Sequence, residues 1–195
     1  MDRGQVHTLE AIVAALLMVT SILFALQITA VTPLSASTSS QHIENQQQAS
    51  VEGVLAAAAA NGELHRAALA WNDSSGRFFN TTDEDYYTSQ APPNAFGDRL
   101  DSAFGDQGIG YNVYVIYYTA GGGRRMQEMV YQGEPSDNAV RAGRTVTVTD
   151  NATLYDHEMN PTSTELDVTA FYAPDASEES PLYNTMRVEV VVWRI

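Results

Sequence analysis

Residues 11–31 carry no formal charge, and their apolar run, AIVAALLMVTSILFALQITAV, is broken only by Thr20, Ser21, Gln27 and Thr29. A helix over these residues rises about 31 Å, which matches the roughly 30 Å hydrocarbon core of a bilayer. No later segment repeats the pattern, so the chain is expected to cross a membrane once. Pro33 removes an amide donor and biases Thr32 toward extended geometry, and residues 35–40 are rich in Ser and Thr; a kink or break is predicted there. Apolar and small positions then recur at Ile43, Gln47, Val51, Val54 and Ala58, the spacing of an amphipathic helix with one thin stripe. Asn61-Gly62 is a stop signal, and residues 63–71 suit a further short helical piece.

Residues 72–109 are dominated by Asn, Asp, Ser, Gly and Pro, and read as a long loop with one helical turn near residues 97–104. From Gly110 the period changes to two, which puts Tyr111, Val113, Val115 and Tyr117 on one face of a strand. Gly121-Gly122-Gly123 supplies a turn, and residues 124–132 return as the hairpin partner. Residues 145–149, 165–172 and 187–195 are further strands. The expected fold class is α+β: a long N-terminal hydrophobic helix, membrane-spanning and kinked near Pro33, then an amphipathic helix packed on a mainly antiparallel sheet. Four segments follow: 1–10 as a cytoplasmic leader, 11–31 as the spanning helix, 32–71 as a helical stem, and 72–195 as a β-rich extracellular domain.

Charge decides the orientation and excludes several partners. The 195 residues hold ten Arg, no Lys and twenty-four acids, a net charge of −14, which repels nucleic acid and anionic membrane surfaces. Beyond residue 31 the net charge is −13, whereas the short N-terminal flank bears Arg3, so the acid-rich bulk is expected outside. With no Cys, disulfides, thiol nucleophiles and thiolate metal sites are excluded. A cleaved secretory signal peptide is the competing reading of the apolar run, with Ser35-Ala36-Ser37 as its cleavage site. The run is longer than the usual h-region of about 7–15 residues.

The segment Arg3-Gly4-Gln5-Val6-His7-Thr8-Leu9-Glu10, abutting the apolar run, resembles the class III signal sequence of archaeal type IV pilin-like proteins. The resemblance implies that a prepilin peptidase cuts on the cytoplasmic side between Gly4 and Gln5 and leaves the apolar helix attached. It also implies that Glu10 serves assembly with other pilin-like subunits, although Glu10 is sixth after a cut behind Gly4 and fifth only after a cut behind Gln5. The motif covers residues 3–31, and the rest of the chain is similar to that family in architecture alone. An acidic chain without Lys or Cys is similar to haloarchaeal proteins, in which carboxylates hold water in concentrated salt.

Candidate chemistry is sparse. His7, His42, His65 and His157 have no metal-ligand spacing, Asp156-His157-Glu158 reads as a solvated charge run, and Asp83-Glu84-Asp85 lacks the oxygen pattern of an EF-hand loop. Gly108-Ile109-Gly110 and the triple glycine read as turns, because no Lys-Ser/Thr follows either. The tyrosines of residues 111–118 suit a sheet core better than a sugar platform. Asn72, Asn80 and Asn151 head N-glycosylation triplets in expected external loops, whereas Asn160 is disqualified by Pro161. No catalytic residue, metal, cofactor or small-molecule substrate is indicated. The expected function is that of a structural, non-enzymatic pilin-like protein of the cell surface, a minor filament subunit being one form of it. Its alternatives are a single-pass anchored extracellular binding protein that enters no filament, and an anchored extracellular enzyme, for which no constellation was found.

Overall fold

The computed structural model describes residues 3–81, 84–105 and 107–195, with backbone alone for residues 3–6 and 28–40. Asp83 and Thr82 therefore lie outside the described residues, as do Met1, Asp2 and Asp106. The chain divides into two compact units, Met1–Ile43 and Glu44–Ile195.

Helix α1 runs over Arg3–Ala60, 58 residues in all. Of the kink or break expected near Pro33, the break does not occur: both segments belong to one helix. A proline takes one donor from the ladder and crowds the carbonyl four residues earlier, and with no glycine between Gly4 and Gly53 the flanking residues keep helical geometry. The expected stripe is realised in part: Val51 and Ala58 are fully buried and Gln47 nearly so, whereas Val54 is half-buried, Ile43 is exposed, and Leu55, outside the expected stripe, is fully buried in its place. At the stop signal Gly62 adopts φ 66°, a left-handed conformation open to glycine, and the chain turns directly into α2, Glu63–Ala68.

Among the described residues eight strands follow. A four-stranded antiparallel sheet has the order β4-β3-β8-β5, from β3 (Ile109–Tyr118), β4 (Arg124–Tyr131), β5 (Val140–Thr149) and β8 (Leu182–Arg194). Two ribbons flank it: β1 (Trp71–Asn72) with β2 (Arg77–Phe78), and β6 (Thr153–Tyr155) with β7 (Pro161–Glu165). In the central pair Val113 faces Val190 and Val115 faces Val188. These residues with Tyr111, Met186 and Val192 form the inner face, which shares one core with Val51, Leu55 and Ala58 of α1 and with Phe96 and Leu100 of α3 (Ala95–Leu100).

Several expectations shift: α2 ends at Ala68 and Trp71 opens β1, and β8 begins at Leu182, five residues before the expected start. Strand β5 begins at Val140, five residues before the expected start, because Arg141, Gly143 and Arg144 hide its alternation. Residues 165–172 are not a strand: β7 ends at Glu165, and a 3-10 turn, Leu166–Val168, follows. There Leu166 is buried and its N–H donates to the Ala152 carbonyl at 3.2 Å, so one hydrophobic anchor holds a turn where the pattern implied a ladder. The long loop is also more organised than expected. It holds β1, β2, α3, a π-helical turn at Asp101–Gly105, and a bridge in which Tyr87 exchanges backbone hydrogen bonds with Met129 and Tyr131 at 2.9 Å each.

Candidate functional site

The N-terminal part of α1 is the most exposed apolar surface of the chain. Among the described residues the span apolar enough to cross a membrane is His7–Gln27, 21 residues with mean hydropathy 2.4 and none of it buried. It overlaps the expected residues 11–31, of which 28–31 have no described side chains. Eleven large apolar side chains between Leu9 and Leu26 are each at least half exposed, on every side of the helix. Covering them is worth about 1.5–3 kcal/mol each, and by length and composition the segment is apolar enough to cross a membrane.

At its head, Arg3, Gly4 and Gln5 lie in the first turns of α1. Glu10 is exposed, and its Oε2 stands 3.6 Å from Nδ1 of His7, one turn earlier. The sequence reading gave Glu10 a role in assembly and overlooked His7, although the i, i+3 spacing was there to read. Thr20 Oγ1 donates to the Leu16 carbonyl at 2.6 Å, which hides one of the few polar groups of the apolar stretch.

The three sequons have different surroundings. Asn72 lies in β1 rather than in a loop, and its Oδ1 accepts the N–H groups of Ser74 and Ser75 at 3.1 and 3.2 Å. Asn80 is exposed with φ 63°, at the tip of a turn. Asn151 is exposed between β5 and β6, where its Oδ1 accepts the Thr149 hydroxyl at 2.7 Å.

The remaining candidates resolve into structural roles. Asp156 Oδ1 accepts the N–H groups of Glu158 and Asn160 at 2.9 Å each, and these bonds hold its carboxyl below the usual range. His157 Nε2 stands 3.9 Å from Glu158, with both side chains exposed. His65 packs edge-on to Tyr155, and burial lowers its pKa. Tyr111 and Tyr117 are buried on the inner face of the sheet; Tyr114 and Tyr118 point to the other face. Among the described residues no three His, Cys, Asp or Glu side chains stand together as a metal site.

Two features escaped the sequence reading. Glu63, 8% exposed, receives both Nε and Nη2 of Arg99, 36 residues on, and the hydrogen bonds of that guanidinium hold its carboxyl below the ordinary value of 4.5. The pair floors an open groove of about 560 Å³ along α1, beside Gly53, Ala57 and Ser102. The second feature is a groove of about 350 Å³ on the outer face of the sheet, lined by Tyr118, Arg124, Arg187 and Glu189. Neither has a local sequence signal, since each joins residues from distant elements.

No curated protein and no solved structure matches the chain. A family model does match residues 3–192, nearly the whole length, including the helix and the sheet domain together. The chain belongs to that family, DUF7288, a family of unknown function.

Proposed function

We propose that this is a structural, non-enzymatic pilin-like protein of the cell surface, anchored by the apolar part of α1, with the sheet domain outside. One observation carries the reading: the bare apolar span His7–Gln27 belongs to the same helix, α1, whose later residues Val51, Leu55 and Ala58 enter the domain core. The anchor and the folded domain therefore share one helix in the sequence. Removed from a bilayer, that surface must be covered again, and copies or homologues with similar helices can do so; small residues such as Ala11, Ala14, Ala15 and Ala25 permit close helix approach.

The reading makes prepilin peptidase the processing partner and puts the cut between Gly4 and Gln5, on the cytoplasmic side. Mass spectrometry of the membrane-extracted protein tests it. A mature chain starting at Gln5 or Val6, with the apolar helix retained, supports the pilin-like reading. Retention of Met1 in cells with active peptidase overturns it in favour of a plain single-pass anchor for an extracellular binding domain, and a start beyond residue 31 would indicate a cleaved signal peptide.

A further inference from the structure

Positive charge is segregated onto the sheet. Strands β3, β4, β5 and β8 carry six Arg and two Glu, a net of +4, in a chain whose total is −14. On the outer face two of these arginines border the 350 Å³ groove. The Arg124 guanidinium lies 5.2 Å from the centre of the Tyr118 ring and donates from Nη2 to its hydroxyl at 2.8 Å. The other, Arg187, lies over the bare Cα of Gly143, where a Cβ would come within 2.6 Å of its Nε, and is half-exposed beside Glu189 at 3.6 Å. Both cations border the groove, whose remaining lining is mixed, Ile116 standing beside Thr145, Thr185 and Glu189; Met126, the cross-strand partner of Ile116, is 54% exposed next to it.

The complementary shape occurs on the same chain. Residues 150–180 contain eight acids and no Arg. Within them the turn after β7 presents Val168, 74% exposed, next to exposed Glu165 and Asp167. An apolar knob flanked by carboxylates thus answers a groove that is bordered by two guanidiniums and has Ile116 in its lining.

One copy cannot bring the two together. Leu166 enters the core, Trp71 Nε1 donates to the Ala170 carbonyl at 3.1 Å, and the Tyr172 ring stands 5.7 Å from that of Tyr117, which faces inward. The turn therefore belongs to the inner side of the sheet and the groove to the outer side. We infer that the groove bordered by Arg124 and Arg187 receives the Glu165–Val168 turn of a second copy of this chain. Such a contact is heterologous, joining different patches of successive copies, and it generates a ring or an open filament. Arginine–carboxylate pairs closed over an apolar contact are shielded from salt more than exposed pairs are. The inference rests on the assembly reading above and supplies its contact outside the membrane.

The absence of Cys makes the test clean. Two differently tagged copies of the full chain, one with Val168→Cys and the other with Thr145→Cys on the groove wall, are co-expressed, kept in their membranes and oxidised. The expected result is a mixed disulfide at least fivefold above either same-position pair. Arg124→Glu with Arg187→Glu in the Thr145→Cys copy should lower it at least fivefold, and Glu165→Arg with Asp167→Arg in the Val168→Cys copy should restore it. Equal yields for all pairings, or no recovery on charge exchange, overturn the inference. A Leu16→Cys pair reports association through the apolar helix alone. If it cross-links while the groove pair does not, the docking inference fails and the assembly reading survives; if neither cross-links, both fail. Loss of the mixed disulfide on adding a soluble polyanionic glycan, with no recovery on charge exchange, would instead assign the groove to such a ligand.

Discussion

Asn184 of β8 continues the sheet past its backbone pairing by bonding twice to Tyr118 of β3: its Nδ2 donates to the Tyr118 carbonyl at 2.8 Å and its Oδ1 accepts the Tyr118 N–H at 3.1 Å. The β3–β8 ladder itself ends at Ile116 and Arg187, so a side-chain amide stands in for the next peptide. Its second amide hydrogen goes to the Pro174 carbonyl at 2.9 Å, and the residue is fully buried. Every polar atom is satisfied, which is the condition under which a buried amide fixes a register instead of weakening a core.

Asn184→Ala leaves the Tyr118 N–H and two carbonyls without these partners in a closed space. The expected cost is about 2–4 kcal/mol, read as a lower urea midpoint of the full chain in detergent by the fluorescence of Trp71 and Trp193. An unchanged midpoint would mean that the contacts are replaced by water.

Two glycines should respond in opposite directions. A Cβ on Gly97 would lie 1.8 Å from the Pro92 carbonyl oxygen, a backbone atom that cannot rotate aside, whereas one on Gly53 meets nothing within 4 Å in the interior of α1. Gly97→Ala should cost about 3 kcal/mol or more, and Gly53→Ala should raise stability by roughly 0.5–1 kcal/mol. The same urea titration decides, and a neutral Gly97→Ala would show that the turn at Pro92 yields.

Much of this architecture is legible in the sequence because it rests on short-range periodicity. The uncharged residues 11–31, the stripe through Val51 and Ala58, and the alternation Tyr111, Val113, Val115, Tyr117 each announce an element within one window. What was not legible depends on distant partners. Residues 165–172 look like a strand until Leu166 is anchored under Ala152, and Val140 joins β5 only because Val192 lies opposite. Glu63 looks like an ordinary first-turn carboxylate until Arg99 meets it. The groove arginines were visible as residues, but the register that places Arg187 beside Ile116 was not.

The Glu63–Arg99 pair gives a pH dependence with a definite sign. Its guanidinium partner lowers the Glu63 pKa in the folded chain from the ordinary 4.5, so the pair's stabilisation is complete above that value and is lost as pH falls through the lower, folded one. Glu63→Gln should therefore be less stable than the parent at pH 7, and the difference should shrink as pH drops below about 4. Parallel thermal unfolding of the two chains from pH 7 to pH 3 measures it. A gap that stays constant over this range would assign the loss to packing and not to charge.

Glu10 stands at the polar head of the apolar span, exposed, with His7 3.6 Å away. If α1 only anchors the domain, Glu10→Gln removes an exposed charge near the headgroups and changes little. In an assembly the same carboxylate is carried among apolar helices, where a charge-assisted bond to a neighbour's new terminal amine strengthens as water leaves, and the neutral amide loses it. On the proposed pilin-like reading, the expected outcome for Glu10→Gln is normal membrane insertion and at least a fivefold fall in co-purification with assembly partners at equal membrane levels. His7→Ala separates the observed neighbour of Glu10 from the proposed one: it should leave co-purification unchanged if an amine of another copy is the working partner, and should match Glu10→Gln if the local pair is what assembly requires. Equal recovery of the parent and Glu10→Gln would remove Glu10 from assembly and leave the apolar surface of α1 as its sole guide.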